Sequence, residues 1–322
     1  MKPRTSRHRL LATALAALAP LTACSDDGGA ADGSGGDTTR VDIGYIADYN
    51  GTSLVAIATD QGLWKKQGLD PKLKKFTNGP IQVQALNAGD LDIAYLGPGA
   101  AWLPASGQAK IIAINSLGEA DRLIAQPGKG ITTVADPKGK KVGVPEGTSG
   151  DMILQLALEK AGMTPGDVEK VPMDSGTLVS AFVSGQIDAA GIWYPNVSTI
   201  EARKPDLVTL ATNADFAPEI SFPSMYVASN DMADSEKHTV SKVVKVLQEA
   251  NDLRAQDPAA AIKTTAAFLG LPEAPLKAEA EHVQTLTTAE LATATEDGSV
   301  DGWLNGLPQT FYLADLYTTA AK

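Results

Sequence analysis

The sequence predicts an α/β protein built as two lobes, each a mainly parallel sheet flanked by helices, joined by a two-strand hinge. Three observations carry that prediction. One stretch is written twice: Val83-Gln84-Ala85-Leu86-Asn87-Ala88-Gly89-Asp90-Leu91-Asp92-Ile93-Ala94 lies over Val179-Ser180-Ala181-Phe182-Val183-Ser184-Gly185-Gln186-Ile187-Asp188-Ala189-Ala190 without a gap, 96 positions on. At the same offset Gly51-Thr52-Ser53 falls on Gly147-Thr148-Ser149, and Asn78-Gly79 on Asp174-Ser175. Around both copies strand and helix signals alternate, and strands separated by helices of about ten or more residues imply parallel pairing with right-handed crossovers. From about Met232 the alternation gives way to helical patterning. Two similarly built halves in register imply facing lobes with room for a ligand between them.

In order, 41–46 reads as a strand and 52–67 as a helix whose Leu54, Ile57, Ala58, Leu63 and Trp64 share one buried face. Gly68 ends that helix, as a glycine just past the last turn usually does. A short strand follows at 73–76, a helix at 79–88 stopped by Gly89, a strand at 91–96, a helix at 100–106 and a strand at 111–115. The second half repeats the order with a strand at 141–144, a helix at 149–161, a strand at 168–173, a helix at 177–184 and a strand at 187–193. Tail helices at 236–255, 258–269, 275–282 and 315–321 need a surface to pack on, and the first lobe offers one. Lobe 1 is therefore expected at 40–124 and 227–322 and lobe 2 at 125–226, with crossings near 123–126 and 223–228.

Residues 1–23 read as a signal segment: Lys2, Arg4, Arg7 and Arg9 form a basic head, and 10–21 an apolar run too short for a comfortable membrane span. Leu21-Thr22-Ala23-Cys24 resembles a bacterial lipobox, so Cys24 is the expected lipidation point and an N-terminal lipid anchor the expected membrane contact. Residues 24–39, rich in Gly, Asp and Ser, are expected to be a disordered tether. The whole chain has a formal charge of −11; without 1–23, 23 basic residues face 38 acidic ones, a net −15. Nucleic acid is excluded as a partner, because phosphate neutralisation needs clustered Lys and Arg.

The residue inventory also argues against an enzyme. His8 leaves with the signal, and His238 and His282 sit in the tail without a second ligand at helical spacing. No phosphate loop, nucleophile elbow or dinucleotide fingerprint is present. No cofactor and no metal is expected.

What remains are turns at the carboxyl ends of strands, where open α/β sheets hold their ligands. In the first half these are Asp48-Tyr49-Asn50-Gly51-Thr52, Thr77-Asn78-Gly79 and Gly97-Pro98-Gly99; in the second, Glu146-Gly147-Thr148-Ser149, Asp174-Ser175-Gly176 and Trp193-Tyr194-Pro195-Asn196. The candidate ligand-binding residues are Tyr49, Asn50, Thr52, Asn78, Gly97, Pro98, Thr148, Ser149, Asp174, Trp193, Tyr194 and Glu219. Thr52, Thr148 and Ser149 are either donors to an anion at a helix start or plain N-caps. Tyr49 is expected as a pocket wall, because neighbouring Asp48 and Asn50 argue against burial. Of Trp193 and Tyr194, successive residues on a strand, one faces the cleft and the other the core. Glu119, Asp121 and Glu219, near the hinge, would suit a ligand amine or simply be solvated.

Several of these pieces together resemble one family. They are Gly44-Tyr45 leading into a Gly-Thr helix start, Asn78-Gly79-Pro80 before Ala85-Leu86-Asn87-Ala88-Gly89, and Asp92-Ile93-Ala94-Tyr95. Lys138-Gly139-Lys140-Lys141-Val142-Gly143-Val144, Leu158-Glu159-Lys160-Ala161-Gly162 and Ile187-Asp188-Ala189-Ala190-Gly191-Ile192-Trp193 complete the set. From about Val41 onward the chain resembles the substrate-binding proteins of bacterial ABC importers, in the branch for aliphatic sulfonates, taurine, nitrate and thiamine-precursor pyrimidines. The resemblance implies a type II periplasmic-binding fold, a ligand held between the lobes by hinge closure, and permease and ATPase partners. It maps a sulfonate head onto Thr52, Thr148 and Ser149 and an amine onto Glu219. The leading expectation is a monomeric, lipid-anchored receptor for a small sulfonate of the taurine or alkanesulfonate class. The alternative ligand is a thiamine-type pyrimidine or other flat heterocycle stacked on Tyr49 or Trp193, and more distantly the chain is an enzyme of the same fold. Relatives that synthesise the pyrimidine use a histidine together with a cysteine-rich segment, and this chain, with its single cysteine, has no such combination.

Overall fold

The computed structural model describes residues 38–307. The signal segment, Cys24, the tether up to residue 37 and the helix expected at 315–321 lie outside the described residues. The first half runs β1 (Thr39–Ile46), α1 (Tyr49–Asp60), α2 (Leu63–Lys66), β2 (Leu69–Phe76), α3 (Gly79–Ala88), β3 (Ile93–Leu96), α4 (Trp102–Ala105) and β4 (Lys110–Gly118). The second runs β5 (Asp121–Ala125), β6 (Lys141–Val144), α5 (Ser149–Lys160), β7 (Glu169–Pro172), α6 (Ser175–Ser184), β8 (Ala189–Trp193), α7 (Asn196–Glu201) and β9 (Val208–Thr212). The chain then returns through β10 (Pro223–Ala228), α8 (Asn230–Ser235), α9 (Lys237–Gln256), α10 (Pro258–Leu269), α11 (Glu273–Ala280), β11 (Val283–Gln284), α12 (Thr288–Glu296) and α13 (Ser299–Gly306). None of the helices among the described residues is long and apolar enough to cross a membrane.

Two sheets result, ordered β11-β4-β10-β3-β1-β2 and β7-β6-β8-β5-β9. Setting aside the two-residue edge strand β11, both follow one permutation: second strand, first, third, incoming strand, fourth. The sequence repeat is thus a repeat of topology. The sheets are mixed rather than mainly parallel. β1–β2, β1–β3, β6–β7 and β6–β8 pair parallel, whereas β10 is antiparallel to β3 and β4, and β5 to β8 and β9. The cause is geometric. The parallel strands end where the lobes meet, so a chain arriving from the other lobe starts at that edge and must run the opposite way.

The incoming strands also move the expected boundaries. Cuts at 124/125 and 226/227 would fall inside β5 and β10, each of which is paired along its length within one sheet. A strand bonded on both sides cannot bend in its middle without breaking its ladder. The chain passes between the sheets at 119–120 and 213–222.

Local chemistry accounts for the equivalent elements. Asn78 caps α3 by accepting the Ile81 N–H at 3.0 Å, and Asp174 caps α6 by accepting that of Thr177 at 3.0 Å. Both helices stop at a left-handed glycine, Gly89 at φ 79° and Gly185 at φ 78°, a conformation that other residues reach only with strain. The helix expected at 52–67 is two, because Gly62 at φ 64° breaks it between α1 and α2. The returning tail covers lobe 1. On α9, Val243, Val246, Leu247, Ala250, Asn251 and Arg254 form one buried stripe, and its apolar members share a core cluster with Leu54, Val55, Ile57 and Ala58 of α1. That packing holds the start of α1 fixed under the cleft. The tail, expected to be wholly helical, also contributes β11.

Candidate functional site

The ends of both sheets enclose a cavity of about 50 Å³. Lobe 1 supplies Ile46, Asp48, Asn50, Asn78, Gly79, Tyr95, Gly97, Pro98, Ala100, Gly118 and, from the tail, Glu279; the crossing and lobe 2 supply Ala120, Asp121, Thr148, Ser149 and Trp193. The lobes are closed over it. A Cβ on Gly99 would lie 2.2 Å from the Thr148 carbonyl carbon, so only glycine permits this approach. The Trp102 indole donates to the Gly147 carbonyl at 3.3 Å, and the Trp193 indole to Asp48 at 3.2 Å.

Three buried carboxylates dominate the wall. Asp48 is the N-cap of α1, with Oδ1 accepting the Gly51 N–H at 2.7 Å. Glu279 reaches the same helix start from α11, accepting the N–H groups of Tyr49 at 2.6 Å and Asn50 at 2.9 Å. Asp121 begins β5, with its backbone N–H on Asn213 Oδ1 at 2.8 Å and its Oδ2 accepting from Asn213 Nδ2 at 3.0 Å. Burial pushes Asp48 up to about 7, against the donors on Gly51 and Trp193. Burial also raises Asp121, against hydrogen bonds from Ser149 and Asn213, and raises Glu279 well above the carboxylate range, with the Asp48 charge adding to it. No Lys, Arg or His lines the cavity among the described residues. Nor do any three His, Cys, Asp or Glu among them form a group that could hold a metal ion.

The opposite wall differs. Thr148 is the N-cap residue of α5 but its side chain does not cap; its hydroxyl donates to the Pro145 carbonyl at 2.5 Å. Among the described residues nothing accepts from the backbone N–H groups of Ser149 and Gly150.

Beneath the floor, Asn50 accepts from Asn115 Nδ2 at 2.7 Å and from the Ser116 hydroxyl at 2.8 Å. Arg254, fully buried on α9, donates to Ser53 Oγ at 3.0 Å, the Asn115 carbonyl at 2.6 Å and Asn251 Oδ1 at 2.8 Å.

Of the residues singled out from sequence, Asn50, Asn78, Gly97, Pro98, Thr148, Ser149 and Trp193 meet at this cavity. Five lie elsewhere. Tyr49 turns its ring into the lobe 1 core and offers only its N–H. Thr52 is fully buried inside α1, its hydroxyl on the Ile46 carbonyl at 2.6 Å. Asp174 is an exposed cap, and Glu219 is exposed on the segment after β9. Tyr194 faces away from Trp193, with its ring 4.8 Å from that of His282 and under the Arg122 guanidinium at 5.4 Å. Asp48 and Glu279 were missed. Glu279 had one signal: it stands three residues after the buried Leu276 on the inward face of α11, an acid where a packed helix would place an apolar group.

A family model described as NMT1/THI5 like matches residues 52–261. The chain belongs to that family. A Brucella abortus (strain 2308) member named only as a binding protein is 52% identical over 297 residues, covering 88% of this chain and 92% of its own. The taurine-binding periplasmic protein of Escherichia coli (strain K12) is 28% identical over 191 residues, 58% of each chain. Among solved structures, the alkanesulfonate-binding protein SsuA from Xanthomonas axonopodis pv. citri, bound to MOPS, superposes with a TM-score of 0.66 at 24% identity, covering 87% of this chain and 98% of that one. At that identity the likeness shows the fold: this NMT1/THI5-like chain has the two-lobed periplasmic-binding architecture.

Proposed function

We propose that the chain is the extracytoplasmic receptor of an ABC importer, closing over a small solute that presents a positively charged nitrogen to Asp48, Asp121 and Glu279. One observation carries the reading: three buried carboxylates line the interlobe cavity, and no basic side chain among the described residues does. Charges cannot stay buried and unpaired; they take up protons or a cation. The start of α5 borders the cavity at the other side through Thr148 and Ser149, and the Ser149 N–H, unclaimed among the described residues, suits an anionic oxygen. A zwitterion fits both, so within the sulfonate class the geometry favours an amino-sulfonate of the taurine type over a plain alkanesulfonate. The cavity of about 50 Å³ has room for about three to five water-sized groups at about 10–15 Å³ each, which restricts the ligand to a small solute.

A second reading has its own support. Trp193 forms a flat wall with its indole N–H on Asp48, where an aminopyrimidine could stack and donate to the carboxylates. Permease and ATPase partners, a monomeric state and anchoring through Cys24 complete the proposal, the last supported by the Leu21-Thr22-Ala23-Cys24 motif.

Calorimetry on the purified protein tests it with taurine, ethanesulfonate and 4-aminopyrimidine. Taurine is expected to bind at least about tenfold tighter than ethanesulfonate, since a charged hydrogen bond contributes roughly 1.5–3 kcal/mol. Equal affinity for the two sulfonates would sink the amine requirement. A preference for 4-aminopyrimidine over taurine would move the ligand to the heterocycle.

A further inference from the structure

α1 and α5 are the same helix in the duplicated topology, and in each the glycine of the Gly-Thr-Ser triplet gives its N–H to an aspartate, Gly51 to Asp48 and Gly147 to Asp151, yet the neighbouring donors are wired differently. At α5 the N–H groups of Ser149 and Gly150 are unclaimed among the described residues. At α1 the donors of Tyr49, Asn50 and Gly51 are all claimed, the first two by a single carboxylate. That carboxylate belongs to Glu279, 230 residues from Tyr49, on a tail helix with no counterpart in the repeat. It takes the two N–H groups one per oxygen, as a bound anion would, and it is only 1% exposed. Behind the same helix lies the buried Arg254 guanidinium, whose hydrogen-bond acceptors among the described residues are Ser53, the Asn115 carbonyl and Asn251, none of them a carboxylate.

We infer that Glu279 is a built-in acidic group seated on the α1 helix start, in the place a bound anion would take, and that it sets the charge class of ligand the receptor accepts. Without it, lobe 1 would present free N–H groups at a helix terminus, a place suited to a small oxoanion. With it, the same place becomes part of a carboxylate wall that excludes anions and attracts cations. The inference deepens the proposed function and rests on that reading for the ligand's cationic end. The occupation of the α1 start by Glu279 is a claim about the protein alone.

Chemical rescue separates the two. Glu279→Ala leaves two N–H groups and a vacated space open to the cavity. Acetate and methanesulfonate, used as probes, are expected to bind Glu279→Ala at least about tenfold tighter than wild type, as expected for two hydrogen bonds to a charged acceptor. They are also expected to raise its melting temperature while leaving that of wild type unchanged. Glu279→Gln fills the space and should show no such rescue, while losing preference for an amine. If Glu279→Ala folds and responds to neither probe, the inference is overturned. If it is unfolded alone, restored cooperative melting in acetate supports the inference and no restoration overturns it. Failure of wild type to prefer taurine over ethanesulfonate would overturn the cationic-ligand reading and leave the acetate result standing.

Discussion

The two helix starts that face each other across the cleft show how one duplicated frame came to have two chemical poles. Gly51-Thr52-Ser53 and Gly147-Thr148-Ser149 are identical triplets at equivalent places in the repeat. In lobe 2, Ser149 is the first residue of its helix and borders the cavity. In lobe 1 the helix begins one turn earlier, at Tyr49, which moves Thr52 and Ser53 into its buried body and leaves Asp48 as the cap at the cavity. A shift of four residues thus exchanges hydroxyls for a carboxylate, and the tail adds a second. Backbone topology survived the duplication; the side chains at the ligand's end of it did not.

The comparison breaks most visibly where the lobes touch. Gly99→Ala would set a methyl group against the Thr148 backbone where the lobes touch. It is expected to lower ligand affinity about fivefold to 150-fold, the range set by about 1–3 kcal/mol of overpacking, with a smaller change in the melting temperature of the empty protein, whose lobes can part to relieve the contact. A matching drop in melting temperature would show instead that this contact belongs to the permanent core.

A pH titration addresses the acidic pole. Asp48, ordinarily at 3.8, stands at about 7 in the closed empty form, so the folded state holds a proton that the unfolded state has lost. Stability of the empty protein is expected to fall as pH rises from about 4 to about 7, by linkage. A cationic ligand must displace that proton, so its affinity is expected to rise over the same window with proton release on binding, measurable by calorimetry in buffers of different ionisation enthalpy. Affinity that stays flat between about pH 5 and pH 8 would remove Asp48 from ligand contact.

The gentlest test uses the matched serines. Ser149→Ala is expected to weaken ligand binding by about 0.5–1.5 kcal/mol with little effect on melting, and Ser53→Ala to lower stability by about 1–3 kcal/mol through Arg254 with little effect on binding. If both act alike, the two starts are equivalent after all.

Much of the frame was legible because local patterns dictate it. α10 has the expected bounds at both ends, with Pro258 inside its start and the left-handed Gly270 past its end, and the caps Asn78 and Asp174 with the stops Gly89 and Gly185 mark α3 and α6. What the pattern concealed depends on distant partners. β5 and β10 looked like hinge because their sheet membership is decided by where the chain enters, not by their apolar content. Tyr49 departs from the pocket-wall expectation because its polar neighbours Asp48 and Asn50 do not share its environment: successive helix residues point about 100° apart. Glu279 acts through residues 49 and 50, and no local spacing reveals such a contact.

The crossing segment itself forms part of the cavity wall: Gly118 closes β4, Asp121 opens β5, and Ala120 stands between them. In a pair of jaws that shuts by rotation, cargo held there rests at the fulcrum and not at the tips. A few tenths of an ångström gained or lost beside the pivot become a much larger sweep at the far rims. A transporter feeling those rims would thus receive an amplified report of what lies inside.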